Sequence, residues 1–487
     1  MFSSHFTITS GFRMVSRKIH QLSQLSVDMP SSYKEAIDTL NRLQSNVEYI
    51  KHAKVQNNQE NNMVEMHKFL KRSGMSLEQL DSLPVIHIAG TNGKGTTCSY
   101  CESILRHHGY KTGFYSSPHL LEVRERIRLN GVPISKDKFS EYFWKIYNRL
   151  DKEKSASYDM PLYFRFLTLM ALHVFVSEKV DVAILEVGIG GEYDCTNIIR
   201  KTLVAGITPL DIDHTTLLGN TIESIAWNKA GIMKPDAQVF TAPQPEAALK
   251  VLKQRSIEKN ATLEIIKNVY TEESNSGIPR QVRKTNASLA LAISKAFMTR
   301  INNNNLSKFT EFNLDLAKKC IETARWPGRY EIIPRKSFTF YLDGAHTVDS
   351  MQVCSDWFLS KTKETNRRVL VFNVTGERDP ENLLKLLVKC QFDVAVFIPN
   401  VGDDNDSADQ EDQIQPVKRQ LERCHLNKQI WTSLDGKSAA EVLPSFAKTV
   451  NYLQNQSFKE TDVLITGSIH LIGSVMSVLD PTLGGSL

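Results

Sequence analysis

Short apolar runs alternate along the chain with longer segments of helical period, and this alternation is the first guide to the fold. Segment 33–49 places Ala36, Ile37, Leu40, Leu43 and Val47 on one face, the pattern of an amphipathic helix. Residues 57–62 read as a polar linker and 66–72 as a short helix. The run Val85-Ile86-His87-Ile88-Ala89 reads as a buried strand. A helix over 97–108 follows, with Gly109 as its C-cap, and then a strand over 112–116. Segment 163–176 is mostly apolar and reads as a core helix. Strands are expected at 180–187 and 203–208. A helix is expected over 221–233, its apolar face running Ile222, Ile225, Ala226 and Ile232. The stretch 258–283 is polar and shows no clear period; 286–298 reads as a helix and the Asn run at 302–305 as a loop.

A second pattern begins near Arg325. Strands at 338–342, 369–374, 394–398, 429–432 and 463–466 alternate with helices at 350–359, 383–390, 417–424 and 439–450. Such alternation predicts a second α/β unit with a largely parallel sheet. The acidic stretch 403–412 reads as a solvated surface loop.

Composition narrows the class without changing this picture. A chain of 487 residues has room for two or more domains, and 41% hydrophobic with 23% charged residues is ordinary for a globular protein. No apolar run approaches the roughly 18 residues a membrane span needs. The net charge of +5 is mild; it suits small anionic substrates and does not argue for nucleic acid. Seven scattered cysteines make no disulfide framework and point to a reducing compartment. Cys98 and Cys101 form a lone CxxC on a predicted helix, where burial is the expected role. Residues 1–27 contain Arg13, Arg17, Lys18 and several Ser and Thr, with no acid before Asp28. That composition fits a mitochondrial transit peptide, with a disordered tail as the alternative. Met14 and Met29 offer alternative starts for a cytosolic form.

The candidate chemistry centres on Gly90-Thr91-Asn92-Gly93-Lys94-Gly95-Thr96, between a predicted strand and a predicted helix. Glycines let backbone N–H groups approach phosphate oxygens, and a helix N-terminus adds partial positive charge. Lys94 suits β- and γ-phosphates, and the Thr96 hydroxyl suits a magnesium ion. The extra Gly95 separates this loop from the strict P-loop pattern. Ser116-Ser117-Pro118-His119 lies at a strand end, where ligands bind in open α/β sheets. The basic run Arg124 to Arg128 is either an anion site or a solvated face. Glu186 closes an apolar run, where a lone carboxylate is costly to bury; a magnesium ion or a paired Lys or Arg removes that cost. His214 follows the next strand. Lys229 falls on the apolar face of the 221–233 helix, and periodicity alone reads it as a snorkelling lysine.

Together these motifs resemble the folylpolyglutamate synthase family of the Mur ligase superfamily, enzymes that form amide bonds at the expense of ATP. The resemblance runs from about Tyr33 to the C-terminus. It rests on GTNGKGTT (90–97), SSPHLLEVRERIRLNG (116–131), YFRFLTLMALHVF (163–175), LEVGIGGEYDCTNIIR (185–200), DIDHTTLLG (211–219), IAWNKAGI (225–232), WPGRYE (326–331), YLDGAHT (341–347) and FNVTGERDP (372–380). It implies an N-terminal P-loop ATPase domain over 31–322, with a mainly parallel sheet. A smaller C-terminal Rossmann-like α/β domain over 323–487 follows, and 1–30 forms a transit peptide or disordered leader.

The same resemblance implies the site. Gly93, Lys94, Gly95 and Thr96 match the nucleotide-phosphate loop, and Arg329 and Asp343 match residues that contact ATP from the second domain. Ser117, Glu186 and His214 match magnesium-associated positions. Lys229 matches a lysine that is carbamylated in relatives, which reverses the snorkelling reading, and His346 matches a histidine implicated near the γ-phosphate. Implied partners are ATP, L-glutamate and reduced folate, with Mg2+ as cofactor, a monovalent cation such as K+ beside it, and a monomeric chain. Val282 and Arg283 depart from the His-Gln pair that relatives carry, a change that bears on ATP affinity or domain closure. Dihydrofolate synthase, of the same fold and chemistry, and a ligation-incompetent nucleotide-binding regulatory relative are the alternatives.

Overall fold

The computed structural model describes residues 32–45, 61–156, 158–270, 277–303, 310–375, 378–403, 417–456 and 460–483. The readings of a leader over 1–30 and of an acidic loop over 404–412 lie outside them.

Two sheets organise the described residues. The first holds β1 (Val85–Ala89), β2 (Thr112–Tyr115), β3 (Ile127–Leu129), β4 (Val132–Pro133), β5 (Val182–Glu186), β6 (Val204–Ile207), β7 (Gln238–Thr241) and β8 (Thr262–Ile265). Their spatial order is β4-β3-β2-β5-β1-β6-β7-β8. From β2 through β8 neighbouring strands are parallel, while β3 pairs antiparallel with both β2 and β4. The second sheet holds β9 (Glu331–Arg335), β10 (Phe338–Asp343), β11 (Arg367–Phe372), β12 (Val394–Phe397), β13 (Ala439–Val442) and β14 (Thr461–Thr466), in the order β13-β12-β11-β14-β10-β9. Only β9 is antiparallel to its neighbour. The fold is therefore α/β, with two mainly parallel sheets. The central β1 is wholly buried because both faces are covered. Val85 packs with the layer that contains the Tyr163–Ser177 helix, and Ile86 and Ile88 with the layer of the Lys94–His107 and Arg280–Asn303 helices.

Several predicted boundaries move, each for a local reason. The first helix is described over Tyr33–Ser45. Asn61 and Asn62, read as linker, open the Asn61–Arg72 helix. The helix after the phosphate loop starts at Lys94, and its C-cap is His108, with Gly109 following at φ +89°. The helix read as 286–298 spans Arg280–Asn303, so Val282, Arg283 and Asn302 lie within it. Pro279 stands just before its start, a helix-opening signal inside the stretch that showed no period. The strand read at 429–432 is part of one helix, Val417–Leu434. Its buried residues Gln420, Cys424, Asn427 and Trp431 repeat at helical spacing. Conversely, 439–450 divides at Pro444 into β13 and the Phe446–Asn455 helix capped by Ser445. Helices Lys136–Lys152, Glu246–Glu258, Leu314–Thr323 and Ile469–Leu479, and strands β3, β4, β7, β8 and β9, had no counterpart in the sequence reading.

One loop of the first sheet reaches into the core of the second. Leu121 is buried in the cluster of Ile333, Phe340, Leu342 and Ile472, and Leu120 packs against it. The backbone of Leu120 lies so close to Gly473 that a Cβ there would stand 2.3 Å from the Leu120 carbonyl oxygen.

Candidate active site

A cleft of about 1190 Å³ runs between the two sheets and is lined from both. Its floor is the carboxyl ends of β1, β5 and β6, and β10 ends on the opposite wall. That volume exceeds what is usual for a single small ligand.

The phosphate loop leaves β1 at Gly90. Thr91 and Asn92 donate their N–H groups to the Pro209 carbonyl at 3.1 Å each, which fixes the loop against the end of β6. Gly93 caps the helix in the left-handed region at φ 87°, with the Asn286 amide where a Cβ would project. Lys94, Gly95 and Thr96 form the first helical turn, whose N–H groups have no intrahelical acceptor. Trp326 backs Gly95 closely enough that any side chain there would collide with the indole. Lys94 Nζ donates to Gly90 O at 3.0 Å and Thr91 O at 3.2 Å.

Lys229 arrives from the Ile222–Ala230 helix and is 4% exposed, so it does not snorkel. Its Nζ donates to the same Gly90 oxygen at 2.7 Å. Burial, then the nearby Lys94 charge, push its pKa well below the ordinary lysine value.

Glu186, at the end of β5, accepts the Ser117 N–H at 3.3 Å, which brings these two predicted positions together. Burial raises Glu186 to about 7, against the opposing pull of Lys94. Among the described residues no ion pair to Glu186 is found within salt-bridge distance, but Lys94, Arg329 and Arg126 lie near enough to oppose the rise in its pKa. His214 takes a left-handed conformation at φ 51° and opens the Thr215–Leu218 helix. Burial lowers it to about 4, leaving it neutral.

The second sheet supplies Arg329, Asp343 and His346, all lining the cleft. Asp343 accepts the Tyr330 N–H at 3.1 Å; burial raises it to about 6 and Arg329 opposes the rise. His346 Nδ1 donates to Gly344 O at 2.7 Å, because a carbonyl can only accept. Its Nε2 stands 3.4 Å from Asp213, and burial lowers its pKa.

Some cleft residues went unnoticed as individuals. Asp213 receives both Arg378 Nε and Nη2 at 3.2 Å, a bridge from the first sheet to the second. Asp194 is buried on the cleft wall and accepts from the Ile189 and Thr196 N–H groups. Each sits inside a motif already singled out, but partners 165 positions apart leave no signal in spacing. Arg126 and Arg128 are buried on the cleft wall, so that run is not a solvated face. Val282 lines the cleft, and Arg283 is buried with its guanidinium over Tyr270. The Cys98 and Cys101 thiols are buried, and burial raises the Cys101 pKa to about 12, so neither is reactive.

A phosphate loop with Lys229 and Glu186 beside it, facing Arg329, Asp343 and His346 across a two-sheet cleft, is the arrangement of an ATP-dependent ligase rather than a simple nucleotide hydrolase. Comparisons with known proteins agree. Residues 329–478 match the family model of the dihydrofolate synthetase C-terminal domain. The human mitochondrial folylpolyglutamate synthase is 44% identical over 439 residues, covering 84% of this chain and 75% of that protein. A putative folylpolyglutamate synthase of Caenorhabditis elegans is 38% identical over 485 residues, covering 94% and 95%. Among solved structures, Escherichia coli FolC in complex with DHPP and ADP superposes with a TM-score of 0.69 at 27% identity, covering 86% of this chain and 92% of that one. The chain belongs to the folylpolyglutamate synthase family.

Proposed function

We propose that the protein adds L-glutamate in γ-linkage to tetrahydrofolate and its polyglutamates. The observation that carries this reading is the phosphate loop and the buried Lys229 sharing one cleft with Arg329, Asp343 and His346 of the second sheet. Relatives from human, Bos taurus and Caenorhabditis elegans are named as folylpolyglutamate synthases, which favours this acceptor over dihydropteroate.

The terminal γ-carboxylate of the folate attacks the γ-phosphorus of ATP, the bond to the bridging oxygen breaks, and ADP leaves. The amine of glutamate then attacks the acyl carbon, loses a proton and expels phosphate. Gly93, Lys94, Gly95 and Thr96 hold the phosphates, and Lys94 swings from its loop carbonyls to the developing charge. Arg329 and Asp343 fix the nucleotide from the second sheet. His346, whose basicity burial lowers, is assigned as the proton acceptor near the γ-phosphate. Closing the cleft excludes water that would hydrolyse the acyl phosphate.

Magnesium fits this wall. Among the described residues no three of His, Cys, Asp and Glu form a metal cluster. An ion held by Ser117, Glu186 and His214 would draw its remaining oxygen ligands from phosphate and water, as this oxygen-seeking ion prefers. When bound, it supplies charge neutralisation of the phosphates. Burial lowers the basicity of Lys229 and so favours the amine form that captures carbon dioxide, and its carbamate would join that set; a K+ ion rests on the resemblance alone.

We assign residues 31–322 and 323–487 to the two domains and expect a monomer, which sedimentation would check. Among the described residues no helix is long and apolar enough to cross a membrane. The mitochondrial naming of relatives supports a mitochondrial form, with a cytosolic form starting at Met14 or Met29. N-terminal sequencing from the two compartments should give different termini; one identical terminus contradicts this. The ligase reading itself is tested with folate labelled by 18O in the γ-carboxylate. Glutamate-dependent release of phosphate carrying that 18O is expected, and unlabelled phosphate contradicts the acyl phosphate.

A further inference from the structure

The strand that feeds the phosphate loop carries a histidine the mechanism does not use. His87 lies in the middle of β1, hydrogen-bonded into the sheet between β5 and β6, and is fully buried. Its Nε2 is 2.8 Å from Thr196 Oγ1. Thr196 Oγ1 is 2.6 Å from Asp194 Oδ1, which also accepts the Thr196 N–H at 2.9 Å. Asp194 Oδ2 accepts the Ile189 N–H at 3.0 Å. Each of these contacts to Asp194 comes from a donor, so the Thr196 hydroxyl points at the carboxyl group, and these donors oppose the rise in its pKa that burial causes. The oxygen lone pair of Thr196 then faces His87, which fixes the imidazole as the Nε2–H tautomer. Burial lowers the His87 pKa to about 3, so the ring is neutral and acts only as a hydrogen-bond donor.

The chain His87–Thr196–Asp194 ends on the turn that follows Glu186 and packs against the helix of Lys229. Asp194 pins this turn at Ile189. The Glu192 N–H donates to Asn228 O at 2.8 Å, and a Cβ on Gly191 would meet that same oxygen at 2.7 Å. The turn therefore has little freedom on the helix side; Arg255, Lys259 and Asn197 hold it at Glu192, and Asp194 holds it at Ile189. It lines the cleft beside Phe164, whose ring stands where a Cβ on Gly188 would project, whereas Asn286 and Trp326 back the phosphate loop. With ATP on the phosphate loop, this wall is left for the acceptor substrate.

We propose that His87 is a positioning residue: acting through Thr196, it holds the Asp194 carboxylate and the 188–192 turn in register for the acceptor substrate. The inference rests on the ligase reading above. His87→Leu keeps the volume and removes the donor; Thr196→Val cuts the same chain at its middle; His87→Gln places an amide donor near the lost Nε2. Supporting hydrogen bonds of this kind typically matter by about ten- to a hundred-fold. Both His87→Leu and Thr196→Val are expected to raise KM for tetrahydrofolate by about that factor, with KM for ATP unchanged. His87→Gln should restore most of the loss, and the double variant should be no worse than the poorer single one. Loss of active fraction alone lowers kcat and leaves KM in place, so the KM split separates positioning from folding. Wild-type KM for tetrahydrofolate in Thr196→Val, equal impairment of His87→Gln and His87→Leu, or additive effects would overturn the proposal. If His87→Leu does not fold, Thr196→Val decides alone. Should the wild-type chain not ligate glutamate, the ligase reading fails by itself. Calorimetric titration of tetrahydrofolate into wild type and Thr196→Val then decides the inference separately, equal affinities overturning it.

Discussion

Lys229 shows how far a residue's chemistry depends on its surroundings. Its place on an apolar helical face suggested snorkelling, yet the helix is covered and the amine ends on Gly90 O beside Lys94. Lys229→Ala is expected to lose nearly all ligation while the fold persists. A small carboxylate such as acetate should restore part of the rate if a carbamate is the working form, and absence of any rescue would contradict that form. Glu186 makes a second residue-level prediction. Its pKa in the folded chain, about 7, lies above the unfolded value of 4.5. The folded state therefore holds the proton more tightly, and stability falls as pH rises between these values and stays lower above them. The full span corresponds to about 3 kcal/mol. Thermal melts of wild type and Glu186→Gln should nearly coincide at about pH 5, and the variant should be the more stable at about pH 8. Magnesium with ADP should narrow the difference at the higher pH by stabilising wild type. A gap that closes as pH rises would contradict the account.

Among elements, those built on a clean period were legible: β1, the phosphate loop with its helix, the Tyr163–Ser177 helix, β5 and most of the second sheet. The failures share a cause. The Val417–Leu434 helix buries only a narrow stripe, so its Gln-Ile-Trp-Thr segment resembled a strand when taken alone. Edge strands such as β4 and β8 expose much of their length and carry little apolar signal. Most candidate site residues stood out because they sit at a strand end or in a tight loop, whereas Lys229, on a helix, was assigned to the site only through the resemblance; the Asp213–Arg378 pairing exists only after the two sheets meet. The 117–121 loop is an element whose role appears only in the fold, because it bears Ser117 and buries Leu121 in the other core. Gly473→Ala puts a methyl against the Leu120 carbonyl. This variant is expected to lower kcat/KM for ligation by about tenfold, as misplacement near the site does. Its circular dichroism should match wild type. Unchanged kcat/KM would show that the loop is not coupled to the site.

The whole molecule works as two sheets that share one site. Gly90 to Thr96, Glu186 and Lys229 stand on one side; Arg329, Asp343 and His346 stand on the other. The Asp213–Arg378 bridge spans the gap between them. Neither half contains a complete set of groups for joining a carboxylate to an amine, which is why the function follows from the assembly rather than from the phosphate loop. The match of residues 329–478 to a dihydrofolate synthetase domain concerns a half that both activities share, so the acceptor decides between them. The direct measurement supplies purified protein with ATP, magnesium and labelled glutamate, and offers either tetrahydrofolate or dihydropteroate. Labelled product from tetrahydrofolate, with one ADP per glutamate added, is the predicted result. Product from dihydropteroate alone, or bound ATP with no product from either, would contradict it.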